Sequence, residues 1–270
     1  MSIEDKVFSG SIPEFYDTYM VPLIFEAYAE NLSKRISNLT PKSVLETAAG
    51  SGVVTRTLAP MLCENCRYVV TDLNPPMLEH ARSKQTDEDN LEWAQADALN
   101  LPFDDAVFDV VFCQFGAMFF PDRVAGFAEA LRVLKPGGHY IFNVWDRIET
   151  NEFADIVTKA AADKFPSDPP RFLARTPHGY HDPSTIRADT GRAGFSEVSL
   201  ETLTFDSHAD TARHPAMAYC HGTPLRNEIM DRDARALDEV TDLAEQALIA
   251  RYGPGPIKAP MQAHVVTAIK

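Results

Sequence analysis

The sequence predicts a doubly wound α/β fold, and two observations carry that prediction. Apolar runs of strand length alternate with amphipathic helical segments from residue 42 to residue 146. The connections between these segments are short, which implies right-handed crossovers and a parallel sheet covered by helices on both faces. After Asp146 the alternation fails, and the chain of 270 residues suits one large domain with a modest cap.

The elements follow in order along the chain. Residues 12–39 predict helices, because apolar side chains recur at helical intervals, and Pro22 predicts a break between two of them. The seven predicted strands are 42–48, 67–74, 91–99, 107–116, 139–146, 195–208 and 263–270. The predicted helices between them are 53–62, 75–84, 121–138, 184–192 and a long helical stretch at 209–251. Pro136-Gly137-Gly138 is expected to stop the helix at 121–138.

Composition excludes some classes of function. The formal net charge is −14 and the sequence pI is about 4.9, which argues against nucleic acid and anionic membrane as partners. The sequence has no run of about 18 apolar residues, so no membrane-spanning helix is expected. The N-terminus lacks the pattern of a secretory signal, so none is expected there. Four cysteines in so long a chain predict free thiols and a cytoplasmic protein. The Cys63/Cys66 pair is interpreted as two thiols without a redox or metal-binding role, and no metal site is predicted.

Polar residues fall where predicted strands end. They are Glu46 with the turn at 48–52, then Asp72, Asp97 and Gln114. In an open parallel sheet, ligands bind beyond the carboxyl ends of the strands. Gly50 and Gly52 permit a tight turn, Asp72 lies where a carboxylate accepts from a ribose diol, and Asp97 is placed to accept from an adenine amino group. Together these features predict an adenosine-type ligand.

Charge distinguishes between the adenosine-type ligands. A nicotinamide dinucleotide site needs a third glycine, three residues after the second, and this sequence has Thr55 there. Glu46 would also repel a pyrophosphate. S-adenosyl-L-methionine (SAM) carries an ammonium and a sulfonium and no phosphate, so an acidic strand end favours it. An NAD(P)-dependent oxidoreductase and a non-catalytic SAM-binding protein remain the alternatives.

Four motifs, in order, resemble those of one family. They are VLETAAGSG (44–52), VVTDLNPPMLEHAR (69–82), AQADALNLPFDDAVFDVVFCQFG (94–116) and LRVLKPGGHYIF (131–142). The sequence resembles a class I SAM-dependent methyltransferase of the small-molecule branch, similar to the quinone-biosynthesis C-methyltransferases. The resemblance covers residues 40–145. It implies a Rossmann-like, mostly parallel seven-stranded sheet with an antiparallel last strand, and SAM as cofactor with S-adenosyl-L-homocysteine (SAH) as product.

The resemblance also implies a cofactor-binding set. Its members are Tyr16, Glu46, Ala48, Gly50, Gly52, Asp72, Leu73, Met77, Asp97, Ala98, Gln114 and Phe115. Glu46 and the glycines would hold the methionine end, and Asp72 the ribose. Residues 73 and 77 would flank the adenine, 97 and 98 would meet its edge, and 114 and 115 would lie under the methionyl group. A tyrosine of the N-terminal helix, Tyr16 or else Tyr19, would approach the carboxylate. Ala48 departs from the family, which usually has glycine there.

The predicted domain organisation is a single methyltransferase domain, 1–270. Residues 1–39 form an N-terminal helical cover, 40–145 the cofactor-binding core, and 147–182 with 209–260 a substrate cap. His178, His181 and His221 are the candidates for a general base, although a lone histidine is more often a surface or hydrogen-bonded packing residue. The expected partner is a small-molecule acceptor, aromatic or isoprenoid-like, methylated at carbon, oxygen or nitrogen. Monomer and homodimer both stay open.

Overall fold

Seven strands form one sheet in the part of the chain that the computed structural model describes, residues 15–86 and 91–270. The strands are β1 (Ser43–Glu46), β2 (Arg67–Asp72), β3 (Leu91–Gln95), β4 (Phe108–Gln114), β5 (Leu134–Trp145), β6 (Glu197–Ala209) and β7 (Ile257–Ile269). Their order across the sheet is β3-β2-β1-β4-β5-β7-β6. The chain reverses its direction of winding between β1 and β4, the point at which doubly wound sheets bind ligands.

Pairing in the sheet confirms the predicted fold class. The pairs β1–β2, β1–β4, β2–β3 and β4–β5 are parallel. β7 runs antiparallel to β5, because Gly137 N donates to Lys270 O at 2.9 Å while Lys270 N donates to Gly138 O at 3.0 Å. The sheet is therefore mostly parallel, and β1, β2 and β4 all end at the same edge.

The helices follow the predicted alternation. A π-helical segment spans Tyr16–Phe25. The α-helices are α1 (Glu26–Ser37), α2 (Val53–Leu58), α3 (Pro75–Ser83), α4 (Arg123–Val133), α5 (Glu152–Lys164), α6 (Phe172–Arg175), α7 (Pro183–Arg192), α8 (Arg213–His221), α9 (Leu225–Arg232) and α10 (Leu237–Tyr252). Short 3₁₀ turns lie at Ala59–Met61, Ala117–Phe119 and Ile148–Thr150. Among the described residues, no helix is both long enough and apolar enough to cross a membrane.

The chain divides into two compact units. The sheet unit comprises Glu26–Val144, His181–Leu203 and His264–Lys270, and the helical unit comprises the chain up to Phe25, Trp145–Tyr180 and Thr204–Ala263. The sheet unit thus contains α1, which the sequence assigned to an N-terminal cover at 1–39. Residues 1–14 of that predicted cover lie outside the described part of the chain.

The core of the sheet unit explains its strand sequences. All four residues of β1 are buried, as are five of the six in β2, which is typical of parallel strands covered on both faces. Leu32 and Ile36 of α1 pack with Val54 and Leu58 of α2 in one apolar cluster against the sheet. This packing fixes α2, and with it the turn that joins α2 to β1.

Two local predictions were wrong. Pro22 does not break the N-terminal helix, since it lies inside the π-helical segment, whose wider turn leaves room for a ring that an α-helix would exclude. Pro136-Gly137-Gly138 does not end a helix either. α4 ends at Val133, and these residues form the first part of β5, where the register with β4 shifts between Phe108 and Val110.

The C-terminal third also differs in detail. The predicted helical stretch at 209–251 is three helices, α8, α9 and α10, and the last strand begins at Ile257 rather than at 263. The segment 252–260, which lies between the predicted helical stretch and the predicted last strand, therefore contains the first residues of β7. Pro256 and Pro260 flank this beginning, and prolines outside a ladder's donor positions are compatible with a strand.

Candidate functional site

Backbone hydrogen bonds connect the turn between β1 and α2 to the neighbouring strands β2 and β4. Thr47 N donates to Phe112 O at 2.9 Å, and Ala49 N donates to Thr71 O at 3.0 Å. The backbone is left-handed at Ala48 (φ 54°), Gly50 (φ 58°) and Gly52 (φ 78°). This conformation favours glycine, which two of the three positions have, while Ala48 holds it with a Cβ at a cost in strain.

The two glycines make different close contacts. A Cβ added at Gly52 would lie 2.9 Å from the Cβ of Ala81 in α3, whereas one added at Gly50 would lie 3.7 Å from Met77 Cε. Gly52 is thus required for the packing of α2 against α3, and Gly50 for the turn itself. Sequence reasoning assigned both glycines to a tight turn and to the methionine end of the ligand, and it did not find the packing role of Gly52.

Asp72 connects the glycine turn to the end of β2. Its side chain is buried, Oδ2 accepts from Gly50 N at 2.8 Å, and Oδ1 accepts from Asn74 N at 2.7 Å. Burial raises the pKa of this carboxyl, and the backbone donors of Asn74 and Gly50 oppose that rise. A carboxylate offers about four acceptor positions, so two strong bonds leave capacity for a diol.

Glu46 is the last residue of β1, and it is almost fully buried, with 1% of its surface exposed. Its Oε2 accepts from Tyr68 Oη at 2.5 Å and from Thr55 Oγ1 at 2.6 Å. Burial raises the pKa of Glu46 to about 7, against the lowering effect of these two hydrogen bonds. Glu46 is consequently only partly ionised at neutral pH, so it is a weaker negative centre than the sequence indicated.

The end of β3 is more open. Asp97 is exposed, and its Oδ1 accepts from Leu99 N at 2.9 Å, which is a local turn contact. Ala98 beside it is half-buried. Leu73, directly after Asp72, is 42% exposed. An exposed leucine next to a buried carboxylate offers an apolar surface that a flat ring can cover.

β4 ends in a strained turn. Gln114 is its last residue, and Phe115 has φ 51° although it is not glycine. Phe115 N donates to Asn143 Oδ1 at 2.9 Å, and the Phe115 ring meets Tyr28 edge-on with 5.3 Å between ring centroids. Strained backbone of this kind costs free energy and is found mainly at functional sites.

Two tyrosines of the N-terminal segment were also predicted to approach the cofactor. Tyr16 and Tyr19 are in the helical unit, where Tyr16 stacks on Phe25 and Tyr19 O accepts from His214 Nε2 at 2.9 Å. Their role at the cofactor stays a prediction.

The three histidines differ. His178 is buried in the helical unit, with Nδ1 2.8 Å from Asp146 O, which is typical of a packing residue. His181 is in the sheet unit, and its backbone oxygen accepts from the ring of His264. His221, in the helical unit, is half-buried, with Nε2 3.0 Å from Thr241 Oγ1. Burial lowers the pKa of His221.

Sequence reasoning missed the residues that hold the predicted ones in place. Thr55 and Tyr68 donate to Glu46, Thr71 Oγ1 donates to Glu46 O at 2.7 Å, and Asn143 accepts from Phe115. Asn143 gave no usable signal in the sequence, because its position beside Phe115 depends on the pairing of β5 with β4. In the sequence, Thr55 stands out only as the residue at the position of the third glycine.

The strand ends of the sheet unit fit SAM. Asp72 has acceptor capacity for a ribose diol, exposed Leu73 offers a surface for adenine, and Glu46 Oε1 receives no hydrogen bond from the described residues. The third-glycine position of a dinucleotide site is occupied by Thr55, whose hydroxyl is bonded to Glu46. The chain thus lacks the third glycine of a dinucleotide site, and the acidic residue at the end of β1 does not favour a pyrophosphate, so the oxidoreductase alternative is not favoured.

Comparison with known proteins also relates this chain to methyltransferases. A family profile described as a methyltransferase domain matches residues 45–142. The ubiquinone/menaquinone biosynthesis C-methyltransferase UbiE of Stutzerimonas stutzeri is 30% identical over 173 residues, covering 60% of this chain and 68% of that protein. UbiE of Proteus mirabilis is 28% identical over 173 residues, covering 60% of this chain and 69% of that protein.

Two solved structures share the fold. The YcgJ protein of Bacillus subtilis superposes with a TM-score of 0.57 at 19% identity, over 90% of this chain and 98% of that one. A phosphoethanolamine N-methyltransferase of Haemonchus contortus, solved with SAH and phosphomonomethylethanolamine, gives 0.59 at 16% identity, over 98% of this chain and 59% of that one.

The fold, the strand-end residues and the relatives agree, and neither alternative function is favoured by them. The chain belongs to the class I SAM-dependent methyltransferases, in the group that acts on small molecules and is related to the quinone C-methyltransferases.

Proposed function

We propose that this methyltransferase binds SAM along the carboxyl ends of β1, β2, β3 and β4, and that it methylates a carbon atom of a small, partly apolar acceptor. The observation that carries the binding site is the position of Asp72. Its carboxylate is buried at the end of β2 and is bonded to Gly50 N and Asn74 N, with acceptor capacity left for a ribose diol.

The other strand ends complete the proposed cofactor site. Glu46 and the turn 48–52 hold the methionine end, and Leu73 and Met77 flank the adenine, whose edge meets Asp97 and Ala98. Residues Gln114 and Phe115 lie under the methionyl group, and Tyr16 approaches the carboxylate. SAM supplies an electrophilic methyl group on a positively charged sulfur, and acidic side chains at these strand ends favour that charge.

Carbon as the methylated atom is supported by the relatives, which are named as C-methyltransferases of ubiquinone and menaquinone biosynthesis. We propose an aromatic or isoprenoid-like acceptor, and we assign its recognition to residues 147–182 and 209–260. The contribution of the chain to the rate is alignment of the reacting groups, which supplies several kcal/mol in well-oriented reactions.

Methylation of an activated carbon also requires removal of a proton, and His221 suits that task best. The Thr241 hydroxyl donates its hydrogen to Leu237 O at 2.8 Å, so it accepts a hydrogen from His221 Nε2. The basic nitrogen of His221 is then Nδ1. Because burial lowers the pKa of His221, the ring is neutral and able to accept a proton at neutral pH.

The cofactor site is tested by titrating SAM into the wild type, Asp72→Ala and Asp72→Asn in a calorimeter. Hydrogen bonds to a charged group contribute about 1.5–3 kcal/mol each, so we expect Asp72→Ala to weaken binding by about 100-fold or more. Asp72→Asn keeps the shape and one of the two acceptor atoms, so it separates loss of the charge and of one hydrogen bond from loss of the whole side chain. Equal affinity in all three proteins would reject this site.

The reaction is tested with isotopically labelled methyl-SAM and a metabolite extract, followed by mass spectrometry of the labelled product. A new carbon–methyl bond supports the proposal, and a product labelled only at oxygen or nitrogen contradicts it.

We also propose a cytoplasmic location and a monomer or homodimer. The four cysteines support the location because they remain free thiols, Cys63 being exposed.

A further inference from the structure

The Glu46 carboxyl group is held by two donors on a single oxygen. Tyr68 Oη and Thr55 Oγ1 both donate to Oε2, at 2.5 and 2.6 Å. The three residues come from β1, β2 and α2, and each is almost fully buried. The side chain is therefore fixed, and no described residue donates a hydrogen bond to its other oxygen, Oε1.

This arrangement makes a proton and a ligand compete for one atom. Oε2 already accepts two hydrogen bonds, so the hydrogen of the neutral acid resides on Oε1. An ammonium group of a ligand needs an acceptor there, whereas a protonated Oε1 is a hydrogen-bond donor and a much weaker acceptor than a carboxylate oxygen. Strong binding of a cation at Oε1 therefore requires that the neutral acid lose its hydrogen.

The surroundings place this competition near neutral pH. The ionisable groups that act on Glu46 are Asp72, Arg56, Tyr68 and Cys113. Burial has the largest effect and raises the pKa of Glu46 to about 7. The Thr55 and Tyr68 hydrogen bonds and the charge of Arg56 oppose the rise, and Asp72 adds to it. Burial also raises the pKa of Tyr68, so its hydroxyl keeps its hydrogen and acts as a donor.

We propose that Thr55 and Tyr68 are positioning residues for cofactor binding, and that binding of the cofactor expels the proton of Glu46. This inference rests on the proposed role of Glu46 at the methionine end. The O–H bond of the carboxylic acid breaks, its proton passes to bulk water, and the ammonium of the ligand keeps its three hydrogens. No electrons are transferred.

The two donors have a definite task in this scheme. A hydrogen bond to a carboxylate favours the ionised form. Without these donors, burial would keep Glu46 neutral at physiological pH, and Oε1 would not be available to a cation. Thr55 and Tyr68 therefore set the pH at which the site accepts its ligand, although neither needs to touch that ligand.

The experiment is calorimetric titration of SAH, the stable product, into the wild type at pH 6, 7 and 8 in buffers of different ionisation enthalpy. A pKa of about 7 predicts release of about half a proton per SAH at pH 7, rising to about 0.9 at pH 6. The same value predicts affinity about tenfold tighter at pH 8 than at pH 6. Glu46→Gln is the matched control, since any pH dependence left in it belongs to the ligand or to another group of the site such as Asp72.

Variants of the donors give the decisive comparison. Tyr68→Phe and Thr55→Val should each move the binding midpoint up by about one pH unit, which weakens SAH binding about fivefold at pH 7 and restores it at pH 9. Thr55→Ser keeps a hydroxyl and should behave as the wild type. Circular dichroism and thermal melting confirm that each variant is folded.

The possible failures are distinguishable. If Glu46→Gln and Asp72→Ala both bind SAH as the wild type does, the cofactor site itself is wrong. If Glu46→Gln weakens binding, but the wild type releases no proton and the donor variants show an unshifted pH profile, then the cofactor site stands and this inference is overturned.

Discussion

Gly116 should not tolerate a side chain, because Ala48 occupies the space beside it. A Cβ added at Gly116 would lie 2.6 Å from Ala48 Cβ and 2.7 Å from Cys113 Sγ. Both distances are shorter than real Cβ contacts, and Cys113 is fully buried. Overpacking of this kind costs about 1–3 kcal/mol. We therefore expect Gly116→Ala to lower the melting temperature of the unliganded protein by roughly 4–8 °C, for a cost near 2 kcal/mol.

Ala48→Gly gives the matched comparison. It removes the contacting Cβ and relieves a left-handed backbone that costs a non-glycine residue about 1–2 kcal/mol. Added freedom of the unfolded chain offsets about 0.5–1 kcal/mol of that gain, so Ala48→Gly alone should raise the free energy of unfolding by about 0.5–1 kcal/mol.

The double variant then measures the contact between the two positions. Combined with Gly116→Ala, Ala48→Gly should recover about half of the loss, because the contact with Cys113 remains. Thermal melting of the wild type, both single variants and the double variant yields the coupling free energy. Additivity within about 0.5 kcal/mol, or a Gly116→Ala variant as stable as the wild type, would refute the packing argument.

Three further changes have definite expected outcomes. Asn143→Ala removes the Oδ1 acceptor of Phe115 N, and should cost about 1–2 kcal/mol in melting experiments and weaken SAH binding measured by calorimetry. Arg132 donates to two backbone carbonyls of the loop 99–106, so Arg132→Lys should lower the melting temperature although the charge is kept. The folded-state pKa of Glu46, about 7, exceeds its ordinary 4.5, so unliganded stability should fall by up to about 3 kcal/mol between pH 4.5 and 7. Melting curves of Glu46→Gln should lack that loss, and parallel pH curves for both proteins would contradict it.

Strand ends were predictable from the sequence because their signals are local. Glu46, Asp72 and Gln114 are the last residues of β1, β2 and β4, and each lies two residues before the end of the predicted strand. Parallel pairing then brings those ends to one edge of the sheet without any further information.

Elements that depend on distant pairing were not predictable in this way. Pro136-Gly137-Gly138 has the local signal of a helix end, and the helix does end nearby, at Val133. The same residues enter β5 because Gly137 N finds its acceptor at Lys270 O, more than a hundred residues later. A strand that begins by pairing with the far end of the chain leaves no local pattern.

Thr55 shows how far the site itself could have been anticipated. Side chains in the first turn of a helix point back toward its N-terminus, so a hydroxyl at the third position of α2 can reach the residue that ends the preceding strand. An acid at that strand end and a threonine three residues after the second glycine are both visible in the sequence.

Tyr68 is different. It shares a face with Glu46 only because Val44 pairs with Tyr68 and Glu46 with Val70, and a shift of one residue in that register would turn the hydroxyl to the opposite face of the sheet. The donor from the helix was therefore open to prediction, while the donor from the neighbouring strand required the structure.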